Sequence, residues 1–182
     1  GRPFKTSIVR KRVQNMINIY VYKNHLEQQV QEQTAVLRKA YEKLEVPVGC
    51  VIVKDGKIIA RGHNLKETKK DTTKHAEIIT IQKASKKLDS WRLLDCEMYV
   101  TLEPCSMCAG AIINSRIKKL YIGTQDSKTG AVGSVYNLFS DYTFNHNVEV
   151  EKNILKDECE EMLKKFFKEL RNIKKQKIKE EK

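Results

Sequence analysis

Tyr99-Val100-Thr101-Leu102-Glu103-Pro104-Cys105-Ser106-Met107-Cys108-Ala109-Gly110-Ala111 changes character part-way along. Residues 98–102 read as a strand, dense in β-branched and aromatic side chains. Small and apolar residues then dominate from Cys105 to Asn114, which reads as a helix. The two cysteines straddle the start of that helix. Three residues apart, they share one face, so both thiols can grip a single ion, and the helix N-terminus favours the thiolate a metal requires.

The strand-to-helix alternation repeats outward from this stretch. Upstream, residues 48–53 (Val-Gly-Cys-Val-Ile-Val) form the near-continuous apolar run of a central strand. Lys54-Asp55-Gly56-Lys57 marks a hairpin turn into a second strand at 58–60. Residues 64–73 are polar and loop-like, and 75–88 carry helical periodicity through Ile78, Ile81, Ala84 and Leu88. Downstream, a strand is expected at 119–123, a loop with two glycines at 126–134, a short helix at 135–140 and a strand at 148–150. From Ile154 a helix is expected, with core positions at Leu155, Cys159, Met162, Leu163, Phe166, Phe167 and Leu170. After Arg171 it gives way to a Lys-rich tail expected to fray. The alternation describes a layered α/β domain over roughly residues 35–171 without internal repeats.

The front of the chain has another texture. Met16, Ile19, Leu26, Val30, Leu37, Ala40 and Leu44 recur close to heptad spacing, and residues 8–44 read as one long helix. Its apolar stripe is narrow, which suits a coiled coil or an exposed linker helix. Pro47 disfavours helix at Val46 and closes it.

The chain has 182 residues and a formal charge of +12. That length allows one domain with a core plus an appendage. The basic excess favours a polyanionic partner such as nucleic acid, although a widely spread Lys surface also serves solubility alone. Five cysteines are an odd number, so full pairing is impossible and a reducing compartment is implied. Cys50, Cys96 and Cys159 read as buried, inert thiols. No apolar run reaches the length of a membrane span, and no signal-peptide pattern follows the first residues, so a cytoplasmic location is expected.

His75-Ala76-Glu77 completes the chemistry. Alone, His75 reads as a polar-loop partner, and Cys105 with Cys108 reads as half a structural zinc knuckle or a redox pair. Together they supply three zinc ligands, one ion per subunit, and a carboxylate that ligation does not need. A structural site fills all four positions with Cys or His; three ligands leave a place for water. Glu77 is then placed as general acid and base, taking a proton from that water and returning it to a leaving group. His-x-Glu followed by Pro-Cys-x-x-Cys is the signature of zinc nucleobase deaminases.

Residues from about 35 to 171 closely resemble the bacterial tRNA-specific adenosine deaminase family. The resemblance rests on Glu45-Val46-Pro47-Val48-Gly49, His75-Ala76-Glu77-Ile78 and the stretch from Tyr99 to Ala111. It extends to Asn114-Ser115-Arg116-Ile117, the loop from Asp126 to Ser134, Asn145-His146, Asp157-Glu158-Cys159 and Phe166-Phe167. It implies a cytidine-deaminase-like fold, a three-layer α/β/α arrangement with a five-stranded mixed sheet, here preceded by a helical extension. It also implies conversion of the wobble adenosine of a tRNA anticodon stem-loop to inosine by a homodimer without membrane attachment. Within it, Asn64 is expected to hydrogen-bond the flipped base, Ala76 to offer its backbone amide and Val46 to pack on the base. Asp126, Lys128, Asn145 and Phe167 are expected to handle neighbouring nucleotides. Without the resemblance these residues would read as a loop cap (Asp126), a core aromatic (Phe167) and a turn residue (Asn64).

Residues 1–34 depart from that family. Arg2-Pro3-Phe4 and the helix through Asn24-His25-Leu26-Glu27 resemble the end of a response-regulator receiver domain running into a coiled-coil linker. They hold no phosphoacceptor site, and those ahead of about Leu26 are expected to project from the domain. The organisation read from the sequence is thus a helical leader (1–34), a zinc-dependent deaminase domain (35–171) and a Lys-rich tail (172–182). Two alternatives stand beside it: a zinc deaminase of a free base or nucleotide (cytosine, guanine or deoxycytidylate), and a catalytically silent zinc module that binds RNA or a partner.

Overall fold

A computed structural model describes residues 40–140 and 144–180. The leader and almost all of the helix expected over 8–44 lie outside the described residues. Residues 40–42 are helical, and the helix ends where Leu44 takes a left-handed conformation (φ 56°). There the Glu45 N–H reaches back to the Ala40 carbonyl at 3.0 Å, satisfying an end-of-helix acceptor before Pro47 intervenes.

Five strands follow: β1 (Gly49–Lys54), β2 (Lys57–His63), β3 (Cys96–Leu102), β4 (Lys119–Thr124) and β5 (Glu149–Glu151). The helices are α1 (Lys66–Lys69), α2 (Ala76–Leu88), α3 (Ser106–Asn114) and α4 (Lys156–Glu180), with a 3₁₀ turn at Leu138–Ser140. The β1–β2 hairpin closes through Asp55 (φ 49°) and Gly56 (φ 71°), the pair of positive φ values a tight hairpin turn demands. The sheet order is β2-β1-β3-β4-β5. β1 runs antiparallel to β2 and β3, and β3, β4 and β5 are parallel, giving the expected mixed sheet.

Register decides the two faces. Cys50 pairs with Val100 and Ile52 with Met98, while Met98 pairs with Leu120 and Val100 with Ile122. These side chains form one buried face with Ala76 and Ala84 of α2 and Ala109 and Ile112 of α3. α2 lies so close that a Cβ on Gly62 would come 2.6 Å from the Ala76 carbonyl oxygen. The opposite face carries buried Val51 and Val53, Tyr99 stacked on Tyr121, and α4. A Cβ on Gly123 would meet the Cys159 sulfur of α4 at 2.6 Å.

The structure corrects four expectations. α4 does not give way at Arg171; it stays helical to Glu180. Of its seven expected core residues only Phe166 is buried, against the Tyr41 ring, whereas Leu155 and Phe167 are exposed. A helix resting on one strand near the sheet's edge buries a narrow stripe, and Leu155, left-handed at φ 55°, belongs to the turn before the helix. The polar segment 64–73 contains α1, whose Glu67 and Thr68 N–H groups donate to the buried Glu45 carboxylate at 3.2 and 2.6 Å. The short helix expected at 135–140 contracts to the 3₁₀ turn.

Candidate active site

The two helices on the buried face begin side by side. His75 is the N-cap residue of α2 and Cys105 that of α3, both with extended backbone. Cys108 sits on the first turn of α3. The His75 Nδ1 lies 3.7 Å from the Cys105 sulfur and 3.6 Å from the Cys108 sulfur. Their ligand atoms all fall within 4.8 Å of one another, so the three residues could hold a metal ion. Long separation in sequence is thereby compressed into one site by two parallel strand-to-helix connections.

The protonation chemistry of the cluster points the same way. A hydrogen bond from the Cys108 thiol pulls the Cys105 thiol down to about 4, against its burial and with help from His75. The same hydrogen bond, together with burial, pushes Cys108 far up. His75 is raised by its bond to Cys105 despite partial burial. Two sulfurs and an imidazole competing for protons at such range form a donor set that a cation satisfies better than a shared proton does.

Glu77 lies in the first turn of α2 and is 4% exposed. Burial pushes its carboxyl above the usual carboxylate range, opposed by its own backbone N–H and by His75. It lines, with His75 and Cys105, a cavity of about 400 Å³. Val46, Asn64, Asp126, Lys128 and Phe167 line the same cavity, so five of the residues expected to meet a substrate converge on the His75–Cys105–Cys108 cluster. Ala76 is fully buried; its N–H donates to Asn64 Oδ1 at 3.0 Å. Because a backbone N–H needs an acceptor, this bond fixes the orientation of the Asn64 amide and leaves its Nδ2 donors free of that contact. Asn145 is exposed and is not among the cavity's lining residues.

Asp126 does two things at once. It borders the cavity, and its carboxylate accepts from the Lys128 N–H at 2.9 Å and the Thr129 hydroxyl at 2.6 Å, capping its own loop.

Glu103 had no role assigned from sequence. It is 3% exposed, and its carboxylate accepts from the backbone N–H of Asp126 (3.1 Å), Val132 (2.9 Å) and Ser134 (3.1 Å) and from the Ser134 hydroxyl. Burial would raise its pKa, but these bonds outweigh it and hold the carboxyl below its ordinary value. A Cβ on Gly130 would come 2.5 Å from the Glu103 carboxyl carbon, so a glycine there is a packing requirement of the clamp. The Lys152 ammonium bonds the Val132 carbonyl from the other side. The loop over the site is therefore held as a rigid wall. Nothing local in the sequence marks Glu103, because all of its partners come from residues 126–134.

Comparison with known proteins gives one consistent result. Residues 23–171 match the MafB19-like deaminase family. A tRNA-specific adenosine deaminase of Bacillus subtilis is 50% identical over 138 residues, covering 76% of this chain and 86% of that protein. One from Haemophilus influenzae is 49% identical over 132 residues, covering 72% and 76%. Among solved structures, a tRNA:A34 deaminase studied for A-to-I editing at the wobble position of transfer RNA superposes with a TM-score of 0.68. That structure is 44% identical, with 70% of this chain and 93% of that one covered.

Proposed function

This chain belongs to the tRNA-specific adenosine deaminases, a deaminase family of enzymes, and from that membership we propose that it converts adenosine to inosine at the wobble position of a tRNA anticodon, using zinc. The observation that carries the reading is the convergence of His75, Cys105 and Cys108 with buried Glu77 at the base of a cavity walled by Asn64 and the Asp126 loop. Zinc fits the donor set. Bonds of about 2.3 Å to sulfur and 2.0–2.1 Å to nitrogen at a tetrahedral angle require nitrogen-to-sulfur edges of about 3.6 Å. The observed edges are 3.6 and 3.7 Å.

Held by His75, Cys105 and Cys108, a zinc ion would lower the pKa of water toward neutrality and so supply a nucleophile at physiological pH. The remaining work falls to the protein. Glu77, whose burial raises its carboxyl above the usual carboxylate range, removes a proton from the attacking water and delivers it to the adenine ring nitrogen. The new C–O bond forms at the carbon carrying the exocyclic amine. As the C–N bond breaks, Glu77 takes the remaining proton from the newly added hydroxyl and passes it to the departing amine, so that ammonia leaves and the C–O bond becomes the carbonyl of inosine. Asn64, oriented by the Ala76 amide, presents its Nδ2 donors to the base edge, and Val46 packs on the base face. Asp126, Lys128, Asn145 and Phe167 engage the neighbouring nucleotides, which fits a base extruded from an RNA loop. Val135 and Tyr136, 53% and 48% exposed beside the same loop, offer apolar surface for the homodimer we propose with it. Among the described residues no helix is long and apolar enough to cross a membrane; the five free cysteines favour the reducing cytoplasm as the compartment we propose.

The test is product analysis of purified protein on an anticodon stem-loop with a wobble adenosine, on free adenosine, and on free guanine, cytosine and deoxycytidylate. Inosine from the stem-loop is expected. Turnover confined to the free compounds would sink the tRNA reading.

A further inference from the structure

We propose that the exposed face of α4 is a cationic rail that binds the double-stranded stem of the same RNA whose loop base enters the cavity. Lys164, Lys168, Arg171, Lys175 and Lys179 follow one another at intervals of four, three, four and four residues. That spacing stacks them on one face of a helix. At about 1.5 Å per residue, the run from Lys164 to Lys179 covers about 22 Å. All five are exposed, and among the described residues only Lys164 meets a carboxylate, Glu160 at 2.9 Å.

The rail starts at the site. Lys164 and Arg171 line a second depression, of about 460 Å³, together with Gln125, Lys128 and Phe167, and those last three also border the active-site cavity. From there α4 leads away. The family match stops at residue 171, yet the helix continues to Glu180, and of the described residues beyond Arg171 only Ile173 is partly covered. A projecting helix with so little apolar contact is not explained by the core of the domain. Its one evident property is a line of positive charge that begins where a substrate loop would emerge. An anticodon loop is closed by an A-form stem, which offers a protein phosphates and 2′-hydroxyls more readily than base edges. A row of lysines meets that chemistry without reading sequence.

The inference rests on the tRNA reading and is tested separately from it. Two double variants are compared with wild type: Lys168→Gln with Lys175→Gln on the rail, and Lys165→Gln with Lys177→Gln off it. Glutamine matches lysine in helix propensity, so circular dichroism should be unchanged for both. Binding and turnover are measured across a salt series on an anticodon stem-loop and on a linear oligonucleotide of the loop alone. For the rail variant, affinity for the stem-loop at low salt should fall about tenfold, and the slope of log K against log salt should become shallower by about 1.8 for two lost phosphate contacts on a duplex. The linear oligonucleotide, kcat on either substrate and the off-rail variant should be unaffected. An unchanged slope in the rail variant, or equal losses on both substrates or in both variants, would overturn the rail while leaving the activity intact. A wild-type enzyme that deaminates only free bases would overturn the tRNA reading and the rail with it.

Discussion

Glu77 is buried and shares a hydrogen bond with Cys108, and its position against the His75–Cys105–Cys108 cluster makes it the test of the proposed chemistry. Replacing it with glutamine keeps its volume and removes only the ability to carry a proton. Turnover of the stem-loop should fall by about 10²–10⁴-fold, the usual worth of a positioned acid or base. Metal content by mass spectrometry should stay at the wild-type level, because His75, Cys105 and Cys108 are untouched. A variant that loses its metal along with its activity would show Glu77 to be a ligand. At this scale the sequence was unevenly legible. His75, Glu77, Cys105 and Cys108 announce themselves by spacing, since ligation and proton transfer each demand particular side chains. Glu45 and Glu103 do not. Both are acids that bind backbone N–H groups brought in from distant segments, at 67–68 and at 126–134, and nothing local marks a carboxylate as having such partners.

α4 shows how neighbouring residues of one helix divide between fold and site. Phe166 is 2% exposed and packs edge-on against both Tyr41 and Phe167, while Phe167 is 41% exposed and faces the cavity. Phe166→Ala should cost about 3–5 kcal/mol in urea unfolding, the range for emptying an aromatic core site. Phe167→Ala should leave stability within about 0.5 kcal/mol, as exposed positions do, and raise KM for the stem-loop. Equal stability losses in the two variants would contradict the division. Sequence periodicity assigned both rings to the core, because a helical stripe of apolar residues is the same whether it meets a sheet or a substrate. The strands were read more truly: β1, β3 and β4 fell within one to two residues of their expected places, since central strands buried on both faces leave near-continuous apolar runs. α1 escaped notice because its four residues carry no apolar face; it is held by Glu45.

For the whole molecule, an ion held by His75, Cys105 and Cys108 would also tie two halves of the sheet layer together. His75 stands at the head of α2, which packs on β1 and β2, and Cys105 and Cys108 at the head of α3, which follows β3. One ion bound to all three closes a link across residues 75–108 that the unfolded chain lacks. Binding to the folded state alone stabilises it by RT ln(1 + [L]/Kd), about 4 kcal/mol when free metal exceeds Kd a thousandfold. Chelation should therefore abolish deamination and also lower Tm, by about 8–16 °C for a domain of this size. Returning stoichiometric zinc should restore both. The ligands must shed protons to bind, so chelator should strip the metal more readily as pH falls. Loss of activity with no change in Tm would mean that the ion serves the reaction without joining α2 to α3, and the coupling of site to fold argued from these two helix starts would be wrong.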